Sequence, residues 1–125
     1  MRLLLDTHVL LWWFNDSPKL KAEVRQAIAH PESEVLVSAA SLWEIAIKRA
    51  SGKLKIPEDF LDYIRAAGFK ELPITTEHGW AAGGLPRFHQ DPFDRVLIAQ
   101  ALCEEVLFAT CDRQAAQYGV AVLEA

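Results

Sequence analysis

Leu3-Leu4-Leu5 running straight into Asp6-Thr7 is the feature that most narrows what this chain can fold into. Three consecutive apolar residues leave no polar alternation for a solvated side. The strand they form is therefore covered on both faces, as in the middle of a parallel sheet between helix layers. The carboxylate and hydroxyl that follow stand just past its carboxyl end. In open α/β sheets ligands sit beyond that end, so Asp6 is either a helix cap or part of a site.

The rest of the chain alternates the two periods. After Asp6, the run Val9 to Phe14 is apolar all round and reads as a short buried helix stopped by Asn15-Asp16. Ser17-Pro18 has the form of a cap and first helical residue, with a more polar helix running to about His30. Val35 to Ser38 is a second strand feeding a helix over 39–50, which Gly52 ends. Pro57 opens an amphipathic helix that puts Phe60, Leu61 and Ile64 on one face and stops at Gly68. Leu72-Pro73-Ile74 is a short strand whose proline suits an edge. Thr75 or Thr76 caps a helix that stops at Gly83-Gly84. Asp91-Pro92 opens another helix running to about Glu105, and Val106 to Thr110 is a strand. A short helix after Asp112 stops at Gly119, and Val120 to Leu123 closes the sheet. The pattern predicts a three-layer α/β/α sandwich around a central parallel sheet of about four to five strands.

A chain of 125 residues, 51% of them hydrophobic, suffices for one domain over 1–125 with a real core. Its net charge of −4 excludes a general nucleic-acid coat protein, because nonspecific phosphate binding needs a basic face. Any RNA contact then uses a local patch. Cys103 and Cys111 have neither zinc spacing nor the density of a disulfide scaffold, which points to a reducing cytoplasm. Val9 to Phe14 falls far short of the roughly 20 apolar residues of a membrane span, so no membrane attachment is expected.

Asp6, Glu44, Asp94 and Asp112 stand at or just past strand ends or on the helices those strands feed, with Asp91 beside them. In a doubly wound sheet they converge on one edge. Carboxylates a few ångströms apart repel, by about 1 kcal/mol per pair at 4 Å in water and more when partly buried, so a cluster needs a counter-charge. Hard oxygen donors suit Mg²⁺ or Mn²⁺, and two such ions can activate water and steady the leaving oxygen of a phosphodiester. Each acid also has a plain structural reading. Asp6, Asp91 and Asp112 occupy N-cap positions, Ser41 to Glu44 fits a capping box, and Glu44 pairs in sequence with Lys48. Ser38 is nevertheless the better helix start, because Ala39 and Ala40 are good helix formers, and that leaves Glu44 free for other work.

These pieces in order resemble the PIN domain, specifically the VapC-type ribonuclease toxins of bacterial toxin-antitoxin pairs. The resemblance rests on Leu3 to Thr7, on Ser38 to Ile45 with Trp43-Glu44, on Leu85-Pro86 through His89 to Asp91-Pro92-Phe93-Asp94-Arg95, and on Ala109 to Asp112. It implies an endoribonuclease dependent on Mg²⁺ or Mn²⁺ that hydrolyses RNA with an activated water. Asp6, Glu44, Asp94 and Asp112 match the family's acids, and Asp91 is the helix cap or a further ligand. Thr110, before the last acid, is placed to orient a carboxylate or water. The resemblance also implies a cognate antitoxin and a homodimer, with Trp12, Trp13 and Phe14 a protein-binding surface where they are not core.

Around the acids stands a second tier. His89 is a candidate for phosphate or metal. Arg95 and Arg113 each follow an acid and are placed to offer a guanidinium to a phosphate or to neutralise that acid. Lys48, Arg49, Lys53 and Lys55 make the densest basic patch, suited to guiding an RNA backbone. His8, His30 and His78 have no zinc spacing. Two other readings stand against the ribonuclease. One is a noncatalytic binding module whose acids are only caps. The other is a phosphatase with Asp6 as nucleophile, which lacks its usual second acid because His8 occupies that place.

Overall fold

Parallel pairing on both sides of the first strand sets the architecture. In the computed structural model, which describes residues 1–125, β1 (Arg2–Leu5) lies between β2 (Glu34–Ser38) and β4 (Leu107–Thr110). The edges are β3 (Lys70–Leu72) beside β2 and β5 (Val122–Glu124) beside β4, giving the order β3-β2-β1-β4-β5. All four pairings are parallel. The chain starts at the centre, steps outward through β2 to β3, then returns to the other side of β1. The reversal between β1 and β4 opens a crevice at the carboxyl ends of those two strands.

Side chains alternate across β1. Leu3 and Leu5 join one core with Val35, Val37 and Ala109, under α1 (Thr7–Phe14), α2 (Ala22–Ala29) and α4 (Phe60–Ala66). Leu4 faces the opposite way and meets Leu36, Phe108 and the α6 residues Leu97, Ile98 and Ala101. That second layer holds α5 (Thr76–Gly84), α6 (Pro92–Glu104) and a 3-10 helix, Arg113–Tyr118. From β2, α3 (Ala39–Ala50) contributes Ile45 to the first core and Ala40 to the second. The three-layer parallel sandwich expected from the sequence is the fold observed. No helix is long and apolar enough to cross a membrane.

Several boundaries differ from the sequence expectation. Ser17 and Pro18 do not start α2: Ser17 Oγ accepts from Lys19 N–H at 3.2 Å and its carbonyl from Leu20 at 3.2 Å, so the segment is a turn. The helix begins at Ala22, with Lys21 as a cap that supplies no side-chain acceptor. Pro57 likewise sits in a turn whose carbonyl accepts from Phe60 N–H, and α4 starts at Phe60. Leu61 does not share the buried face of Phe60 and Ile64; it is 45% exposed. The third and fifth strands are displaced by about two residues, to 70–72 and 122–124, because pairing against Leu36–Ser38 and Phe108–Thr110 sets their extent.

Trp12, Trp13 and Phe14 are partly buried against the first core. Phe14 packs edge-on against Phe60 and Phe69, with ring centroids 5.3 and 5.8 Å away.

Candidate active site

Asp6 caps a helix and makes a second contact beyond it. Its Oδ1 accepts from Val9 N–H at 2.7 Å and caps α1, while Oδ2 accepts from the Thr110 hydroxyl at 2.5 Å. Leu5 is in register with Ala109, and the Asp6 N–H donates to Ala109 O at 3.0 Å, so the chain past β4 is delivered alongside Asp6. Thr110 Oγ1 also accepts from Asp112 N–H at 3.0 Å. Asp112 then caps the 3-10 helix through Oδ1, accepting from Gln114 N–H at 2.9 Å.

Glu44 arrives from the other side of β1. Ser38, buried, caps α3 by accepting from Ala40 N–H at 3.0 Å, so the helix starts at Ala39 and no capping box forms at Ser41. Ser41 points inward instead. The Thr7 hydroxyl is hydrogen-bonded to Glu44 Oε1 at 2.8 Å and to Ser41 Oγ at 3.1 Å, and Lys48 Nζ donates to Glu44 Oε2 at 3.0 Å.

Asp94 lies in the first turn of α6, and Asp91 caps that helix by accepting from Phe93 N–H at 2.8 Å. Asp91 is exposed and Asp94 partly buried. Asp94 makes no side-chain hydrogen bond. A cavity of about 160 Å³ is lined by Asp6, Asp94 and Asp112 together with His8, Thr110 and Cys111. Larger hollows border α4, but they carry no such acid set.

The charges register the convergence. Burial first, then the like charge of Asp91, pushes the Asp94 carboxyl up to about 6; Glu44 and Asp112 push the same way, and His89 opposes them. Burial raises Asp6 above its ordinary value against the hydrogen bonds from Thr110 and Val9. The Cys111 thiol is raised by burial and then by Asp6, Asp112 and Asp94. Asp94 thus stands within the field of every other acid in the candidate set except Asp6, with which it shares the cavity wall.

His89 holds an acid. Its Nε2 contacts Asp112 Oδ2, its Nδ1 lies 3.0 Å from the Tyr118 hydroxyl, and its backbone N–H donates to that hydroxyl at 2.8 Å. One consistent arrangement has Nε2–H donating to the carboxylate and Nδ1 accepting from Tyr118. Nothing in the spacing of Tyr118 in the sequence signals this part. Arg95 differs from expectation, because its guanidinium reaches no acid. It donates to four backbone carbonyls, Ala82 at 2.8 Å, Leu85 at 2.9 Å, Pro86 at 2.9 Å and His89 at 3.2 Å. It thereby ties the end of α5 and the following loop to α6 and sets where His89 stands. Arg113 is turned away from Asp112, with Nε 3.8 Å from Glu124.

Within the basic patch, Lys48 is engaged by Glu44, and Arg49 Nε donates to Ile56 O at 3.0 Å, leaving its terminal nitrogens free. Lys53 and Lys55 form no ion pair. Thr7, Ser41, Tyr118, His8 and Cys111 are the neighbours that sequence reasoning did not assign. Thr7 and His8 beside Asp6, Ser41 one turn before Glu44, and Cys111 between Thr110 and Asp112 stood near the acids in sequence, whereas Tyr118 did not.

Hard carboxylate oxygens around one small cavity, with like-charge repulsion on Asp94, form a donor set suited to a divalent cation. As the side chains stand, no three Asp, Glu, His or Cys residues form a ready-made cage for an ion. Asp112 and Glu44 each give an oxygen to a cationic or polar neighbour instead, His89 and Lys48.

Fold and site together define a doubly wound α/β protein with an acidic pocket at the strand-order reversal. The PIN domain model matches residues 3–121. Ribonuclease VapC22 of Mycobacterium tuberculosis is 30% identical over 115 residues, covering 90% of this chain and 88% of that protein. The chain belongs to the PIN domain family. The same fold occurs in VapBC2 from Rickettsia felis, solved bound to a DNA fragment from its promoter, with a TM-score of 0.74, 14% identity and coverage of 99% and 98% of the two chains. It occurs too in a toxin-antitoxin complex from Klebsiella pneumoniae, with a TM-score of 0.67, 15% identity and coverage of 97% and 95%.

Proposed function

We propose that this chain is the toxin of a toxin-antitoxin pair, an endoribonuclease that hydrolyses RNA phosphodiester bonds with Mg²⁺ or Mn²⁺ held among Asp6, Glu44, Asp94 and Asp112. The observation that carries the reading is the gathering of Asp6, Asp94 and Asp112 on one small cavity, with Asp94 pushed up to about 6. Capping accounts for Asp6 and Asp112 singly but not for Asp94, which caps nothing. The name of the Mycobacterium tuberculosis relative supports the RNA-cleaving activity.

A bound divalent cation supplies the Lewis-acid charge that activates water and steadies the leaving 3′ oxygen, leaving a 5′-phosphate. The chain's own residues orient the donors. Thr110 steers Asp6, Thr7 and Lys48 fix Glu44, and His89 with Tyr118 fixes Asp112. Asp94 is the acid left without a hydrogen-bond partner, and it is the one most relieved by an added positive charge. Arg49 and Lys53, with Lys48 at the edge of the site, draw the RNA backbone toward it. The setting is the cytoplasm, the assembly a homodimer, and the neutralising partner a cognate antitoxin, in keeping with the toxin-antitoxin complex of the same fold.

The test incubates the purified chain with structured RNAs in Mg²⁺, in Mn²⁺ and in chelator, beside Asp94→Asn. Cleavage that needs the cation and is lost in the variant is expected. Equal cleavage by wild type and Asp94→Asn, or cleavage indifferent to chelator, overturns the reading.

A further inference from the structure

Trp43 directly precedes Glu44 on α3, yet it is 62% exposed, a costly position for an indole with no partner. Its ring is braced edge-on against Phe93, with centroids 5.2 Å apart and planes at 76°. Phe93 directly precedes Asp94 on α6, and its backbone is held by the Asp91 cap. The indole therefore bridges α3 and α6, the two helices that carry Glu44 and Asp94, and it stays largely open to solvent outside the wall of the acid cavity. Beyond it lies a hollow of about 380 Å³ whose wall includes Trp43, Leu42, Ala46, Arg49, Ile56 and Pro57. The free terminal nitrogens of Arg49 and the unpaired Lys53 and Lys55 lie on the segment that follows Glu44.

We propose that Trp43 is a stacking platform for an unpaired nucleobase flanking the scissile phosphate of the RNA substrate; the proposal rests on the endoribonuclease reading above. An anionic backbone meets net repulsion from the acids, and the neighbouring cations counter it. The aromatic face adds sequence-tolerant affinity, since every base offers a π-face to stack. A base inside a duplex has both faces covered by its neighbours and cannot use the platform. The charge of the surround favours RNA over an apolar peptide as the occupant.

The test uses a labelled single-stranded oligoribonucleotide that the wild type cuts at one place, with analogues lacking the base at single flanking positions. Trp43→Ala is expected to raise KM roughly 5- to 150-fold, the range for losing one base–aromatic stack, with kcat changed far less. Trp43→Phe keeps KM within a few-fold. Deleting the base at one position should cost the wild type a similar factor and cost Trp43→Ala nothing. Trp43→Met, which keeps apolar contact with Phe93 but removes the flat ring, serves if the alanine variant does not fold. An unchanged KM, or a base-deletion penalty as large in the variant as in wild type, overturns the platform. So does a variant whose RNA kinetics are intact but whose self-association or protein binding is lost. Binding read by anisotropy in Asp94→Asn, with and without Trp43→Ala, separates the two readings. A wild type that never cleaves removes the ribonuclease, whereas oligomer binding by Asp94→Asn that is indifferent to Trp43 removes the platform alone.

Discussion

Replacing Asp94 with Asn should stabilise the cation-free protein at neutral pH, and the size of the gain follows from its surroundings. Its carboxyl rises from the ordinary 3.8 to about 6 through burial and the charges of Asp91, Glu44 and Asp112. A rise of about two at 1.36 kcal/mol each corresponds to about 3 kcal/mol of strain in the ionised form. Asp94 is only partly buried, and its charge near the start of α6 earns back about 0.3–1 kcal/mol from the helix dipole. Solvent screening reduces the remainder further, so about 1–2 kcal/mol is expected. Because the folded-state value lies above the unfolded one, the folded chain binds the extra proton, and stability falls as pH rises between about 4 and 6. The penalty is complete above about 6 and absent below 3.8. Asp94→Asn should therefore melt about 3–10 °C above wild type at pH 7.5 in chelator. At pH 4 the two should nearly coincide. Added Mg²⁺ or Mn²⁺ should raise the wild-type melting temperature by mass action and raise that of the variant less. Thermal melts by circular dichroism at both pH values, with and without cation, decide it. A variant that melts at or below wild type at pH 7.5, or a gain that persists undiminished at pH 4, refutes the reasoning.

Three further outcomes follow from the same contacts. Asp6→Asn keeps an acceptor for Val9 and the shape of the site, so it should remain folded by circular dichroism while its RNA cleavage falls to background. Asp91→Asn caps about as well as aspartate and removes one like charge from Asp94, so its melting temperature in chelator should lie at or slightly above that of wild type and substantial cleavage should remain; an inactive, folded variant would place Asp91 among the metal ligands. Arg95→Ala removes a charged donor from four carbonyls and should cost about 2–4 kcal/mol, read as a lower urea midpoint at constant slope. Arg95→Lys should recover little of that loss, because a single ammonium cannot span the fork, and a fully stable lysine variant would contradict the clamp.

Local chemistry carried much of this protein into view from the sequence. Leu3-Leu4-Leu5 determined a strand buried on both faces, and that strand lies at the centre of the sheet. Ser38, Thr75, Asp91 and Asp112 cap the elements that follow them, because capping depends on a side chain and the next two or three N–H groups. Asp6, Asp94 and Asp112 were legible as candidates for the same reason, each standing beside a strand end or helix start that the pattern itself marks, whereas Glu44 stood out as an acid inside the helix that the second strand feeds. Ser17-Pro18 and Pro57 misled because a turn satisfies those residues as well as a helix start does. The edge strands shifted because their extent is set by a neighbour's hydrogen bonds rather than by their own residues. Arg95 and His89 depended wholly on the tertiary structure. A guanidinium beside an acid in sequence has no fixed direction until α5 brings its carbonyls within reach, and His89 meets Asp112 only after α6 and β4 have folded between them. The order β3-β2-β1-β4-β5 likewise decided which carboxylates share a cavity, since convergence depends on which strands are neighbours, a long-range choice that local patterning does not encode.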